Sequence, residues 1–321
     1  MSAKLLAVEQ RAGRSGAQAW VLDGEGRRMP GHDHDERLLR MRDGLTRHDA
    51  VRTFSADAST DTLQETVAAL HEPSYLLALG SQRAGEPALL KDFAAPGMAP
   101  DTPVSAEVVA CAFEGVRTAI TAAERIVAGA RYAYALCRPP GHHAGPAWVG
   151  GCCYLNNAAA AAHTLSGAGA GPVAILDLDI HYPNGTSAIA EHMQDTSLAS
   201  LHASPVVNSP SLSADPKTVR ERLIAFSEPP TDDDYLAALA GEIEVLAGSA
   251  AAIVLSLGYD TVRGDPHGCW SFSPRTFARM GHLLASTELP ICVVQEGGYE
   301  LESLAACSFA FAAGLLGSDG A

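Results

Sequence analysis

Asp177-Leu178-Asp179-Ile180-His181 follows the apolar run Pro172–Leu176 and reads with it as a buried β-strand. Period-two geometry puts Asp177, Asp179 and His181 on one side and turns Leu178 and Ile180 to the other. Two carboxylates and an imidazole facing one interior space need neutralisation. A bare buried carboxylate costs several kcal/mol, so the usual answers are a cation or a tight hydrogen-bond network. A strand end whose polar residues reach solvent would read the same, so the pentapeptide alone leaves both open.

Three further segments carry matching chemistry. Cys137-Arg138-Pro139-Pro140-Gly141-His142-His143-Ala144 closes the strand-like run Tyr132–Leu136. Its prolines stop the strand and its glycine permits a tight turn, so two adjacent histidines stand on a stiff loop as an acid–base station. The strand Ala252–Leu257 runs into Gly258-Tyr259-Asp260, whose carboxylate is a candidate third ligand. The strand Ile291–Val294 runs into Gln295-Glu296-Gly297-Gly298-Tyr299, where Gly-Gly turns the backbone and aims a phenol across the strand ends. All four segments lie at the C-terminal ends of strands, where open α/β sheets keep their ligands.

The matched segments identify the chain as similar to the histone deacetylase / acetylpolyamine amidohydrolase superfamily. Besides these four, two of which extend as Asp177–Thr186 and Gly258–Pro266, the resemblance rests on Gly31–Arg37, Leu70–Leu76, Asp101-Thr102-Pro103, Gly150–Asn157 and Ser200-Leu201-His202. It is specific at the histidine pair, the Asp-x-Asp-x-His strand and the Gly-Gly-Tyr turn, and loose elsewhere. It implies the arginase–deacetylase fold, a three-layer α/β/α architecture with a central, mostly parallel sheet, in one catalytic domain over residues 1–321. The alternation of apolar strands with Ala-rich helical stretches (Ser105–Ala128, Leu155–Leu165, Asp234–Leu246) independently predicts a parallel sheet with helices on both faces.

The resemblance also implies the chemistry. One catalytic zinc would sit on Asp179, His181 and Asp260, leaving a position open for water and the substrate carbonyl. His143 is the implied proton shuttle, His142 its electrostatic partner and Tyr299 the oxyanion donor. Asp177 and Asn184 are the implied orienting partners of His142 and His143. A structural potassium ion is implied at oxygens of Asp177, Asp179, His181, Ser200 and Leu201. Gly151, Cys152 and His267 are the implied substrate-contacting positions.

Several of these positions depart from the family pattern. Cys152 stands where an aromatic tunnel wall is usual, and His267 where a polyamine-specific eukaryotic member has Glu. Tyr182-Pro183 replaces a second His and its glycine. Ala203–Leu212 replaces the Gly-rich segment that brings the opposing wall. The expected result is a reshaped entrance suited to a bulkier amide of a small molecule. Acetylpolyamines and acyl-lysine are the alternative substrates. Cys152 as a nucleophile is disfavoured, because zinc-assisted hydrolysis requires no covalent intermediate.

Composition sets outer limits. A formal charge of −15 argues against nucleic acid as a partner. Seven cysteines without Cys-x-x-Cys spacing argue against disulfides or a thiolate zinc site. No export signal or membrane-spanning stretch is recognisable, so the expected location is the cytoplasm, with a homodimer as the family's frequent assembly. Two other function classes remain. An arginase-type ureohydrolase would want two manganese ions and an Asp-x-His-x-Asp pattern, and an inactive ligand-binding homologue would not need His142, His143 and Tyr299.

Overall fold

The computed structural model describes residues 5–10, 20–22, 27–98, 100–204 and 220–318. The replaced segment Ala203–Leu212 therefore lies, from residue 205 onward, outside the described residues. The strands are β1 (Leu5–Glu9), β2 (Trp20–Leu22), β3 (Arg28–Pro30), β4 (Val51–Ser55), β5 (Tyr132–Leu136), β6 (Val173–Asp177), β7 (Thr196–Ala203), β8 (Glu221–Phe226), β9 (Ala252–Leu257) and β10 (Ile291–Gln295). The α-helices are α1 (Asp35–Thr46), α2 (Thr60–Leu70), α3 (Pro73–Gly80), α4 (Ala106–Val127), α5 (Asn157–Gly167), α6 (Asn184–Ala190), α7 (Asp232–Ser249), α8 (Pro274–Ala285) and α9 (Leu301–Leu315).

Among the described residues, eight strands form one sheet in the order β4-β1-β5-β10-β9-β6-β7-β8. Every neighbouring pair is parallel. Alternation along the strands sorts their side chains to two cores. Tyr132, Tyr134, Ile253, Leu255, Ile291 and Val293 pack with Met41, Leu239, Phe277 and Phe311 from α1, α7, α8 and α9. Ala133, Ala135, Val254, Cys292 and Val294 pack on the opposite face with Ala119 and Ile126 of α4 and Leu165 of α5. Strands covered on both faces read as continuous apolar runs, as these do.

The sheet places β5, β10, β9 and β6 side by side, so the segments after them open at one edge. Local chemistry fixes how those segments begin. Asn156 caps α5, its side chain accepting from Ala159 N at 2.9 Å, while its Nδ2 donates to Ala144 O beside the histidine pair. The five alanines Ala158–Ala162 are all buried, and their small side chains let α5 lie close to the sheet and to α4. The expected helix Ser105–Ala128 is α4, with Ser105 as its cap; the expected Leu155–Leu165 starts two residues later and Asp234–Leu246 extends at both ends.

One expectation needs correction. Regular strand ends at Asp177, and residues 178–181 are irregular. The backbone N–H groups explain why. Leu178 N still reaches Ser256 O, but Asp179 N donates to Asp177 Oδ1, Ile180 N to Asp260 Oδ1 and His181 N to Asp179 Oδ1. The site's own carboxylates replace the sheet ladder. Alternation survives, because Leu178 and Ile180 remain in the core.

His71 holds the loops that flank the histidine pair. Its Nδ1 donates to Gly145 O at 2.9 Å and its Nε2 accepts from Asn156 N at 3.2 Å, which requires a neutral ring. Burial pushes its pKa down from 6.5 to about 4. The unfolded chain therefore binds a proton that the folded chain refuses between those values. Stability from this group is complete above pH 6.5 and falls by roughly 3 kcal/mol as the pH drops to about 4. Urea unfolding across this window should show a shallower acid loss for His71→Gln than for the unmodified chain. Equal slopes would exclude the buried neutral imidazole as a source of acid sensitivity.

Candidate active site

The ends of β5, β10, β9 and β6 deliver His142 and His143, Tyr299, Asp260, and Asp177, Asp179 and His181 into one space. Ligand atoms of Asp179, His181 and Asp260 lie within 4.8 Å of one another. His181 Nδ1 is 3.0 Å from Asp179 Oδ1 and 3.2 Å from Asp260 Oδ2. The remaining oxygens are anchored: Asp179 Oδ2 accepts from Gly297 N at 2.9 Å, and Asp260 Oδ1 from Ile180 N at 3.1 Å. Asp260 Oδ2 is buried and, among the described residues, has no hydrogen-bond donor beyond the His181 imidazole beside it.

These residues fit a metal ion of the zinc class. The set is two carboxylates and one imidazole, with an unsatisfied oxygen aimed inward. Gly297 and Gly258 also leave room that no other residue would leave. A Cβ on Gly297 would lie 2.4 Å from Asp260 Oδ2, and one on Gly258 would lie 2.3 Å from Asp179 Oδ2. Burial, with the Asp179 carboxylate alongside, pushes Asp260 up to about 8. That is the strain of crowding two buried carboxylates, which a cation would relieve.

The two histidines sit in different electrostatic surroundings. His142 Nδ1 is 3.3 Å from Asp177 Oδ2 and its Nε2 is 3.7 Å from Asp179 Oδ1. Burial opposes its charge, but Asp179 and Asp177 override it and raise the imidazole to about 10. His143 Nδ1 lies 2.6 Å from Asn184 Oδ1. Burial, then repulsion from His142 and His181, drives His143 well below its ordinary value and keeps it neutral. With Nδ1–H donated to the Asn184 carbonyl, Nε2 carries a free lone pair. Burial likewise keeps the Tyr299 phenol protonated.

A histone deacetylase domain model matches residues 32–315. The chain belongs to the histone deacetylase family. Acetylpolyamine amidohydrolase 1 of Pseudomonas aeruginosa is 38% identical over 212 residues, covering 64% of this chain and 61% of the relative. The acetylpolyamine amidohydrolase of Mycoplana ramosa is 36% identical over 211 residues, again covering 61% of the relative. The aligned stretch thus spans about three-fifths of these relatives. A crystal structure of acetylpolyamine aminohydrolase from Burkholderia pseudomallei superposes with a TM-score of 0.84 at 27% identity, covering 96% of this chain and 98% of that one. Membership carries the fold with it, and the sheet and layers agree.

Two of the departures from the family pattern, Cys152 and His267, line a cavity of about 220 Å³ over the histidines and the acidic cluster. Gly151 and Cys152 form one wall, both with left-handed backbone, φ +52° and +63°. At Gly151 glycine is favoured twice over, by this backbone and because a Cβ would lie 2.4 Å from His143 Cδ2. Burial raises the Cys152 thiol, so it is no thiolate nucleophile. His32 and His267 also line the cavity, their Nδ1 and Nε2 2.7 Å apart, with the His267 ring 4.7 Å from Tyr299. Of the implied potassium set, Asp177 and Ser200 are register partners on β6 and β7, with Leu201 next along β7. Ser200 Oγ is engaged with His202 Nδ1 at 2.8 Å.

Sequence reasoning missed what supports Tyr299. Arg37 is fully buried, its guanidinium 4.4 Å over the Tyr299 ring, and it donates to Gly298 O and Glu296 O. Asp33 neutralises it at 2.6 Å and pairs with Arg138 at 3.1 Å. The i,i+4 spacing of Asp33 and Arg37 on the weak N-terminal motif was the available signal. Asp265 accepts from Tyr299 N, Glu300 N and His267 N at 2.6, 3.1 and 2.9 Å, and nothing in its local sequence marked it.

The donor set makes a direct prediction. Asp260→Ala should purify with far less than one zinc per chain after dialysis and should hydrolyse no amide. Stoichiometric zinc retained in that variant would remove Asp260 from the ligand set.

Proposed function

We propose that this chain is a zinc-dependent amidohydrolase of deacetylase type, removing an acyl group from the nitrogen of a small acylated amine. The observation that carries this is a neutral, oriented histidine and a protonated phenol flanking one acidic ligand cluster in a single cavity. The names of the relatives agree with amide hydrolysis on acylated amines.

Asp179, His181 and Asp260 would hold the zinc, which supplies Lewis acidity toward the amide carbonyl and toward water. His143 Nε2, its opposite nitrogen fixed by Asn184, takes the proton from water and returns it to the leaving nitrogen. His142, kept cationic by Asp179 and Asp177, places fixed positive charge beside the developing anion. Tyr299 donates its phenol proton in a hydrogen bond to the oxyanion, a contribution of about 3 kcal/mol in comparable sites. Potassium at Asp177, Asp179, His181, Ser200 and Leu201 is the second ion of this reading. The cross-strand pairing of Asp177 with Ser200 supports it.

The wall at Cys152 and the histidine pair at the mouth favour a substrate other than a slim linear chain. The open side at Cys152 offers width where a ring would offer contact area.

Two expected outcomes follow. Tyr299→Phe should keep its zinc yet lose at least ~10²-fold in kcat, and His143→Ala should lose more. Near-normal turnover in both would leave the mechanism without its proton shuttle and oxyanion donor. Cys152→Phe should raise the ratio of kcat/KM for acetylspermidine to that for a bulky acetanilide, because a ring gives contact to a slim chain and clashes with a wide one. A chain already most efficient on acetylspermidine, with the ratio unmoved by Cys152→Phe, would overturn the argument from the open wall.

A further inference from the structure

Hydrolysis in the proposed reaction needs two groups from different strands to act on one carbonyl. His143 stands on the loop after β5, and Tyr299 on the turn after β10. Each is well fixed within its own segment. The histidine loop is held by Thr186 N donating to His142 O, Trp148 Nε1 donating to His143 O, and Asn157 Nδ2 donating to Pro139 O. The Gly-Gly-Tyr turn is held by Arg37 and Asp265. Arg37 reaches the start of the histidine segment through Asp33, which also pairs with Arg138, but none of these contacts grips the histidines' own backbone from the turn.

Glu296 does. It is fully buried, and its backbone lies three residues before Tyr299. Its side chain turns away from that strand toward the histidine loop. Oε2 accepts from Gly141 N at 2.6 Å and from His142 N at 3.1 Å. Oε1 accepts from Ser256 Oγ at 3.0 Å, on the strand that leads to Asp260. Its carbonyl oxygen takes Arg37 Nη2 at 2.5 Å, and the next N–H, that of Gly297, donates to Asp179 Oδ2 at 2.9 Å. Glu296 therefore ties the histidine loop to the turn bearing the phenol and to the strand that leads to Asp260, and the N–H of the next residue adds Asp179.

We infer that Glu296 is a positioning residue that sets the separation of His143 from Tyr299 and the acidic cluster, acting through its grip on the Gly141 and His142 N–H groups. The inference rests on the hydrolase reading above. Removing the acceptor leaves two buried N–H groups unpaired, and the loop must move to satisfy them. A shift near 1 Å in a reacting group is enough for a loss of ~10²-fold. A glutamine keeps an acceptor oxygen for both N–H groups and can turn its amide toward the Ser256 hydroxyl, so it should preserve the spacing without the charge.

The test uses zinc-loaded full chain and a trifluoroacetylated anilide as substrate, with kcat, KM and zinc content measured separately. Wild-type turnover of the anilide tests the hydrolase reading itself, and its absence would sink that reading. Given turnover, Glu296→Gln should stay within ~5-fold of wild type. Glu296→Ala should lose at least ~10²-fold in kcat with KM changed less than ~3-fold and one zinc retained. In a His143→Ala background, Glu296→Ala should cost no more than ~3-fold, because the group it positions is gone. Should Glu296→Ala fail to fold, Glu296→Asp draws the carboxylate back by one methylene and should show the same kcat loss. A normal kcat in the Ala or Asp variant, a Gln variant as impaired as Ala, or losses that multiply in the double variant would each overturn the inference.

Discussion

Neutralising buried negative charge is the constraint on which the rest of this molecule depends. Asp177, Asp179 and Asp260 are each 0% exposed at the ends of two neighbouring strands, with Glu296 equally buried on the next. Four carboxylates in so small a volume cannot stand alone. The protein answers partly with its own backbone, spending the N–H groups of Asp179, Ile180, His181, Gly141, His142 and Gly297 on them. It answers partly with imidazoles, and it leaves Asp260 Oδ2 for a cation. The same carboxylates that create the electrostatic problem end the strand ladder and shape the loops around the site.

This economy explains the glycines. Carboxylates can crowd only where no Cβ intrudes, so Gly258 and Gly297 face Asp179 and Asp260, and Gly151 faces the His143 ring. It also explains the asymmetry of the histidines. His142 lies against two acids and is held cationic, while His143, one residue on, is buried against an amide and beside the His142 charge and is held neutral. Adjacent residues of one type thus acquire opposite protonation states from their surroundings alone, which is what a charge stabiliser beside a proton shuttle requires.

Much of this was legible in the sequence where a short segment carries both its structure and its chemistry. The runs Tyr132–Leu136 and Ala252–Leu257 are strands with the bounds their apolar residues imply, and each ends where its polar residues begin. His142, His143, Asp260 and Tyr299 meet because parallel strands share one C-terminal edge. The order that places β5 next to β10 was not legible, since it depends on crossovers between distant segments. The end of β6 at Asp177 was missed for a different reason. Period-two patterning continues through His181, but the hydrogen-bond partners change from strand to side chain, and patterning does not report partners. Arg37, Asp265 and the carboxylate of Glu296 grip backbone atoms far along the chain; the i,i+4 spacing marks the Asp33–Arg37 pair, but no spacing marks those long-range contacts.

The central claim is that one cation, held by Asp179, His181 and Asp260, turns this cluster into a hydrolytic centre. Stepwise return of zinc to chelator-stripped protein, with amide turnover read at each addition, tests it most directly. The account predicts that activity rises in proportion to zinc and stops rising at one equivalent per chain. Full turnover before any metal is added, or a requirement for two equivalents of manganese with zinc ineffective, would contradict it.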